Sequence, residues 1–173
     1  MTDAAQSDAR RSGQRRSRTV ARAVVLVAIG VALAPVTSFP VGGANINPTQ
    51  HLVNVVAAVL LGPWQATGIA LVIGVIRNAL GVGTLLAFPG GMIGALLAGY
   101  AWRLTHRDAV AAAGELVGTA VLGAILGGLL VAPVFMDQPA AALAFVPSFF
   151  GSSLVGVIIG VAALRVLRRT DLA

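Results

Sequence analysis

The chain has 173 residues, 57% of them hydrophobic and 10% charged, with a mean hydropathy of +0.90. Soluble domains carry about a quarter of their residues as charged groups, so this composition excludes an ordinary soluble protein and implies a polytopic membrane protein. The absence of cysteine excludes disulfides, thiolate metal sites and thiol nucleophiles, and all the positive charge behind the net +6 is arginine, since there is no lysine.

Six of the twelve arginines fall between positions 10 and 22, and three between 165 and 169. Basic clusters beside apolar runs are topology signals for the cytoplasmic face of a membrane rather than a nucleic-acid footprint. Residues 1–19 are polar, Ser- and Arg-rich and without apolar periodicity, which predicts a disordered cytoplasmic tail. Arg15-Arg16 and Ala32-Leu33-Ala34 imitate a twin-arginine signal and its cleavage site. The apolar run 23–39 nevertheless exceeds the about 7–15 residues of a signal core, and Pro35 would follow the cut directly.

The first span is therefore expected over about 20–37, close to the hydrocarbon thickness at about 1.5 Å per residue. It carries two pairs of small residues four apart, Ala28 with Ala32 and Gly30 with Ala34, and such pairs let a second helix approach closely. The uncharged segment 38–47, broken by Pro40, Gly42 and Gly43, suits the outer face. Asn47-Pro48-Thr49-Gln50 then has the chemistry of a helix start, with Asn as N-cap, Pro at the first position and Gln able to reach back.

From that start Asn47, His51 and Asn54 share one helix face, as do Gln50 and Asn54. Polar groups inside lipid are costly, about 2.5–3.5 kcal/mol for a charged one on insertion scales, and are turned inward toward ligand, water or a partner. Two readings follow: one wall of a substrate pocket, or caps and hydrogen bonds to a neighbouring helix. The second suits Asn47 and Gln50 taken alone, while His51 and Asn54 remain open to both.

The second span, short enough to be re-entrant, ends at Gly62-Pro63-Trp64, and the third ends near Asn78. Arg77 is separate from every basic cluster and falls at an outer end by parity; it is either a snorkelling anchor or a planar fork of donors for a ligand oxygen or ring nitrogen. A Gly-rich turn through Thr84 leads into the fourth span, which closes at Tyr100, Trp102 and Arg103. Phe88 at its entrance either packs or stacks on a flat ring. Residues 103–108 form an inner loop. The fifth span covers about 109–131, with Glu115 near its inner end, expected to pair with an arginine there, a coupling role being the alternative. The sixth covers about 144–167, with Ser148 at the outer face.

Six spans keep both arginine-rich ends and the 103–107 loop on the cytoplasmic side, whereas five would export one cluster. The expected fold is thus all-α, a six-helix membrane domain over 20–168 in the plasma membrane with both termini cytoplasmic, flanked by the 1–19 tail and a 169–173 tail. Asn47, His51, Asn54, Arg77, Asn78, Thr84, Phe88 and Ser148 gather in its outer half as candidate substrate contacts. Catalytic signatures are absent: no HExxH, phosphate-binding loop or GxSxG occurs. His51 and His106 fall on opposite faces and cannot share a metal, and Glu115 alone leaves no acid/base pair. No cofactor or metal is expected, and active uptake would need energy from a partner or an ion gradient.

At this point the residues resemble the ThiW family, thiazole-specific substrate-binding (S) components of energy-coupling factor (ECF) vitamin transporters. The resemblance covers residues 36–103, through Pro48-Thr49-Gln50-His51-Leu52-Val53-Asn54, Leu61-Gly62-Pro63-Trp64, Arg77-Asn78 and Gly81-Val82-Gly83-Thr84-Leu85-Leu86-Ala87-Phe88-Pro89-Gly90; the last two spans match only as apolar helices. It implies about six helices, an outward-facing pocket for 4-methyl-5-(2-hydroxyethyl)thiazole, a thiamine precursor, and docking through Ala28 and Ala32 on a membrane-embedded T component linked to two cytoplasmic ATPases. The long arginine-rich N-terminus departs from the family pattern. Another small vitamin is the rival substrate, and a structural subunit or a small membrane enzyme is the rival class.

Overall fold

Proline and glycine punctuate the apolar sequence, and the helices begin and end where they fall. In a computed structural model, which describes residues 2–41, 44–139, 141 and 143–170, helix α1 (Thr2–Ala32) stops short of Pro35. A proline ring has no N–H and collides with the carbonyl four residues back. A single turn, α2 (Ala34–Thr37), takes Pro35 within its first positions, and an antiparallel hairpin follows, β1 (Phe39–Val41) with β2 (Ala44–Ile46), pairing Phe39 with Ile46. Helix α3 (Pro48–Leu61) starts on the Asn47 cap, whose side chain accepts from Gln50 N–H at 2.8 Å. Gly62 ends it at φ +93°, a conformation that costs glycine nothing, and Pro63 opens α4 (Pro63–Ala79).

A loop leads to α5 (Ala87–Thr105), which closes on a left-handed His106. Helix α6 (Asp108–Phe135) and helix α7 (Val146–Arg169) complete the chain. Ten of the 14 residues of α3 are buried, so this short helix is the centre of the bundle. Val53, Val55 and Ala57 meet Ile73 of α4, Ala95 of α5 and Leu164 of α7 in one apolar core. Helices α5 and α6 touch backbone to backbone: a Cβ added at Gly118 would lie 2.7 Å from the Gly94 Cα. Wide turns over Gly118–Gly123 and Gly127–Val131 interrupt the regular winding of α6 along this contact.

The bundle has two distinct ends. Arg103, Arg107, Arg165 and Arg168 gather at one, where Arg168 pairs with Asp108 at 2.7 Å; the hairpin and the loops after α4 and α6 occupy the other. Two helices, α6 and α7, are each long and apolar enough to cross a bilayer. Helix α3 is apolar but spans about 21 Å, less than the about 30 Å hydrocarbon core.

Two expectations change, one for the N-terminal segment and one for the small-residue pairs of α1. Residues 2–19 continue α1 as helix, with every described side chain from Gln6 to Arg18 exposed, where sequence reading expects disorder; Ala, Gln and Arg are good helix formers, and extending an existing helix avoids the cost of nucleation. Trp64, exposed on the surface, meets Tyr100 edge to face. Of the two small-residue pairs in α1, Gly30 and Ala34 are buried inside the bundle, Gly30 against Ile73, and only Ala28 and Ala32 remain exposed. Gly42, Gly43 and residues 171–173 lie outside the described residues.

Candidate ligand-binding site

The site is assembled where α3 begins, and α3 begins well inside the bundle. The backbone N–H of Asn47 donates to Ser152 Oγ at 2.9 Å, and Ser152 lies six residues, about 9 Å, beyond the start of α7. Asn47 Nδ2 donates to Ser38 Oγ at 2.6 Å and to Thr37 Oγ1 at 3.2 Å, which ties the chain on both sides of the hairpin to the α3 cap.

Gln50 does not reach back to the cap as its position suggests. Its Oε1 accepts from Arg77 Nη1 at 3.0 Å and its Nε2 donates to Ala70 O at 3.4 Å, so the side chain bridges α3 to α4. Arg77 is 2% exposed. Its Nη2 donates to Ser38 Oγ at 3.3 Å and Val82 O at 3.4 Å, Nε–H has no partner, and no carboxylate pairs with it among the described residues. A snorkelling anchor would reach the surface; this guanidinium is enclosed.

The recessed start of α3 also corrects the expectation for Glu115. Seven residues, about 10 Å, into α6, Glu115 is fully buried and meets no arginine. Its Oε1 lies 2.7 Å from His51 Nδ1, 3.2 Å from Asn54 Nδ2 and 2.9 Å from Thr119 Oγ1. The interfacial ion pair expected of Glu115 is made by Asp108 instead. Sequence reading sets His51 in the outer half of the bilayer and Glu115 near the inner end of its span; the fold brings them into contact. Gly94 makes room for this cluster, since a Cβ there would lie 2.9 Å from Glu115 Oε1.

Between these elements is a narrow cavity with several polar side chains on its walls. About 380 Å³ of space is free of protein atoms, mouth included, and about 30 Å³ admits the centre of a water-sized sphere. That is room for two or three waters at about 10–15 Å³ each, so a ring-sized ligand requires the walls to part.

Four of the eight predicted contacts line the cavity: Asn47, His51, Arg77 and Thr84. The other four do not. Asn54 lies behind the wall, its Nδ2 donating to Gly91 O at 3.1 Å as well as to Glu115. Asn78 braces the following loop through Gly74 O at 2.9 Å and Thr84 O at 3.3 Å. Phe88 lies over Gly74 of α4, and the aromatic wall is Phe149; Ser148 is buried one turn short of the cavity, and Ser152 takes its place. Gln50, Thr119, Phe149 and Ser152 line the cavity with larger side chains that were not among the candidates. Their signals were present in part, as Glu115-Thr119 and Ser148-Ser152 are spaced four apart on helix faces, but depth along the bundle decides which member of each pair reaches the cavity.

A sequence model of the thiamine-precursor transporter protein ThiW matches residues 20–170. The chain belongs to the ThiW family. The match runs past residues 36–103 to include α6 and α7, which supply Glu115, Thr119, Phe149 and Ser152, and it leaves the arginine-rich 1–19 segment outside. No curated protein and no solved structure matches the chain. ThiW is a transporter family and not an enzyme family, so the protein is a membrane transporter.

Proposed function

We propose that this ThiW protein is the S component of an ECF-type importer and captures 4-methyl-5-(2-hydroxyethyl)thiazole from outside the cell. The observation that carries this reading is a buried guanidinium and a buried imidazole, Arg77 and His51, on one narrow cavity whose remaining walls include Gly90, Gly91 and Phe149. Such a slot suits a small flat heterocycle: glycine backbone and an aromatic ring take its faces, and a few polar groups fix its orientation. Six spans with both termini in the cytoplasm put the cavity in the outer half of the plasma membrane, and the arginine-rich end of the bundle inside.

The chain has no nucleotide-binding motif, so ATP hydrolysis falls to two partner ATPases through a membrane-embedded T component. Ala28 and Ala32, exposed on α1, are the face we assign to that docking. Of the eight sequence candidates, we retain Asn47, His51, Arg77 and Thr84 as ligand contacts, and give Asn54, Asn78, Phe88 and Ser148 supporting positions.

The test is equilibrium binding of radiolabelled hydroxyethylthiazole to the purified protein, beside thiamine, biotin and riboflavin. Submicromolar thiazole binding that weakens at least about tenfold in His51→Ala, the cost of one buried hydrogen bond, is the expected result. Tighter binding of another vitamin overturns the substrate assignment.

A further inference from the structure

Nearly all the polar side-chain atoms on the cavity already have partners inside the protein. Asn47 uses its amide for Gln50 N–H, Ser38 and Thr37; Gln50 spends both ends on Arg77 and Ala70; Ser152 Oγ accepts from Asn47 N–H. Thr119 Oγ1 lies between Glu115 Oε1 and Gly90 O. Apart from the half-buried Thr84 hydroxyl and the Ser152 O–H, which donates to no described residue, what remains is on two residues. A guanidinium has five N–H groups, and Arg77 directs donors only at Gln50, Ser38 and Val82. His51 has Nδ1 on Glu115 and no protein partner at Nε2 among the described residues.

The geometry around Glu115 determines what Nε2 is. Asn54 Nδ2 faces two oxygens, Gly91 O and Glu115 Oε1, and the first can only accept, so the amide is oriented with its N–H groups toward both. As a carboxylate, Glu115 accepts at Oε1, and at 2.7 Å from His51 Nδ1 it places an imidazole proton on Nδ1. In the neutral imidazole, a proton on Nδ1 leaves a bare lone pair at Nε2.

We propose that Glu115 holds His51 in the Nδ1–H form, so that the cavity offers a ring-nitrogen acceptor, His51 Nε2, opposite the donors of Arg77, and selects ligands bearing a hydroxyl O–H. Glu115 is a positioning residue in this scheme, and His51 determines specificity. The proposal rests on the thiazole reading for its ligand: the hydroxyethyl O–H is given to His51, and the ring nitrogen or the hydroxyl oxygen accepts from Arg77. An analogue without the O–H leaves Nε2 buried against a group that cannot donate, the arrangement that discriminates strongly in sites built around a hydrogen bond.

The experiment compares hydroxyethylthiazole with 5-(2-chloroethyl)-4-methylthiazole, similar in size and lacking the donor, on wild type and on Glu115→Gln. Wild type is expected to prefer the alcohol by at least about tenfold. In Glu115→Gln a carboxamide can donate to Nδ1 and release the tautomer, so the preference should fall close to one. Equal binding of both compounds by wild type, or an unchanged preference in Glu115→Gln, overturns the proposal and leaves the substrate reading standing; binding of neither compound by wild type overturns the substrate reading itself.

A second measurement does not depend on that variant folding. The sequence has two histidines, so His106→Gln leaves a single imidazole for ¹⁵N-histidine labelling. Ring nitrogen shifts of an Nδ1–H tautomer are expected for His51, and an Nε2–H pattern overturns the proposal.

Discussion

Among the described residues, Arg77 and Glu115 are the two charged side chains enclosed in the bundle, and they are held differently. Glu115 Oε1 is faced by His51 Nδ1, Asn54 Nδ2 and the Thr119 hydroxyl, whose single proton is shared with Gly90 O, whereas Arg77 has only neutral acceptors among the described residues: an amide, a hydroxyl and a carbonyl. Burying a charge without a counter-ion costs desolvation energy, and an apolar side chain of similar volume relieves that cost against the loss of the donors to Gln50, Ser38 and Val82. Arg77→Met is therefore expected to leave the midpoint of thermal unfolding in detergent within a few degrees of wild type, while thiazole affinity drops at least about tenfold. The reverse pattern, retained affinity with a large loss of midpoint, would make Arg77 a brace for the loop at Val82 and nothing more.

Among the elements, the α5–α6 contact sets the position of the buried acid. Gly94 and Gly118 bring the two backbones together, and the wide turn that starts at Gly118 carries Thr119 toward Gly90 O. A branched side chain at Gly94 would collide with Thr119 and Glu115 and force the helices apart, an overpacking cost of about 1–3 kcal/mol. Gly94→Val should lower the thermal midpoint and weaken thiazole binding together. Gly68→Ala, on the outer side of α4 with nothing within 4 Å of its added Cβ, should lose neither. If Gly94→Val binds normally, the contact does not position the site.

For the molecule as a whole the decisive variable is orientation. Because the chain has no cysteine, single-cysteine variants report position without background. Leu80→Cys and Asp137→Cys lie exposed at the hairpin end, Arg107→Cys and Thr170→Cys at the arginine end. A membrane-impermeant maleimide is expected to modify the first two in intact cells and the second two only after permeabilisation. Labelling of Arg107→Cys in intact cells would turn the cavity toward the cytoplasm and end the importer reading.

Local chemistry was enough to read much of this from the sequence. Pro35, Asn47-Pro48, Gly62-Pro63 and the apolar composition mark the helix ends and the membrane class, because caps, missing N–H groups and transfer costs act on a residue whatever surrounds it. His51 and Arg77 stood out for the same reason, as polar groups in apolar runs. Depth and direction were not local. The hairpin sinks the start of α3 by about two turns relative to α7, which carries His51 down to Glu115, swings Gln50 onto Arg77, and puts Phe149 and Ser152 where Phe88 and Ser148 were expected. Spacing along one helix shows which side chains share a face; only packing several helices against one another decides which level of that face meets the cavity.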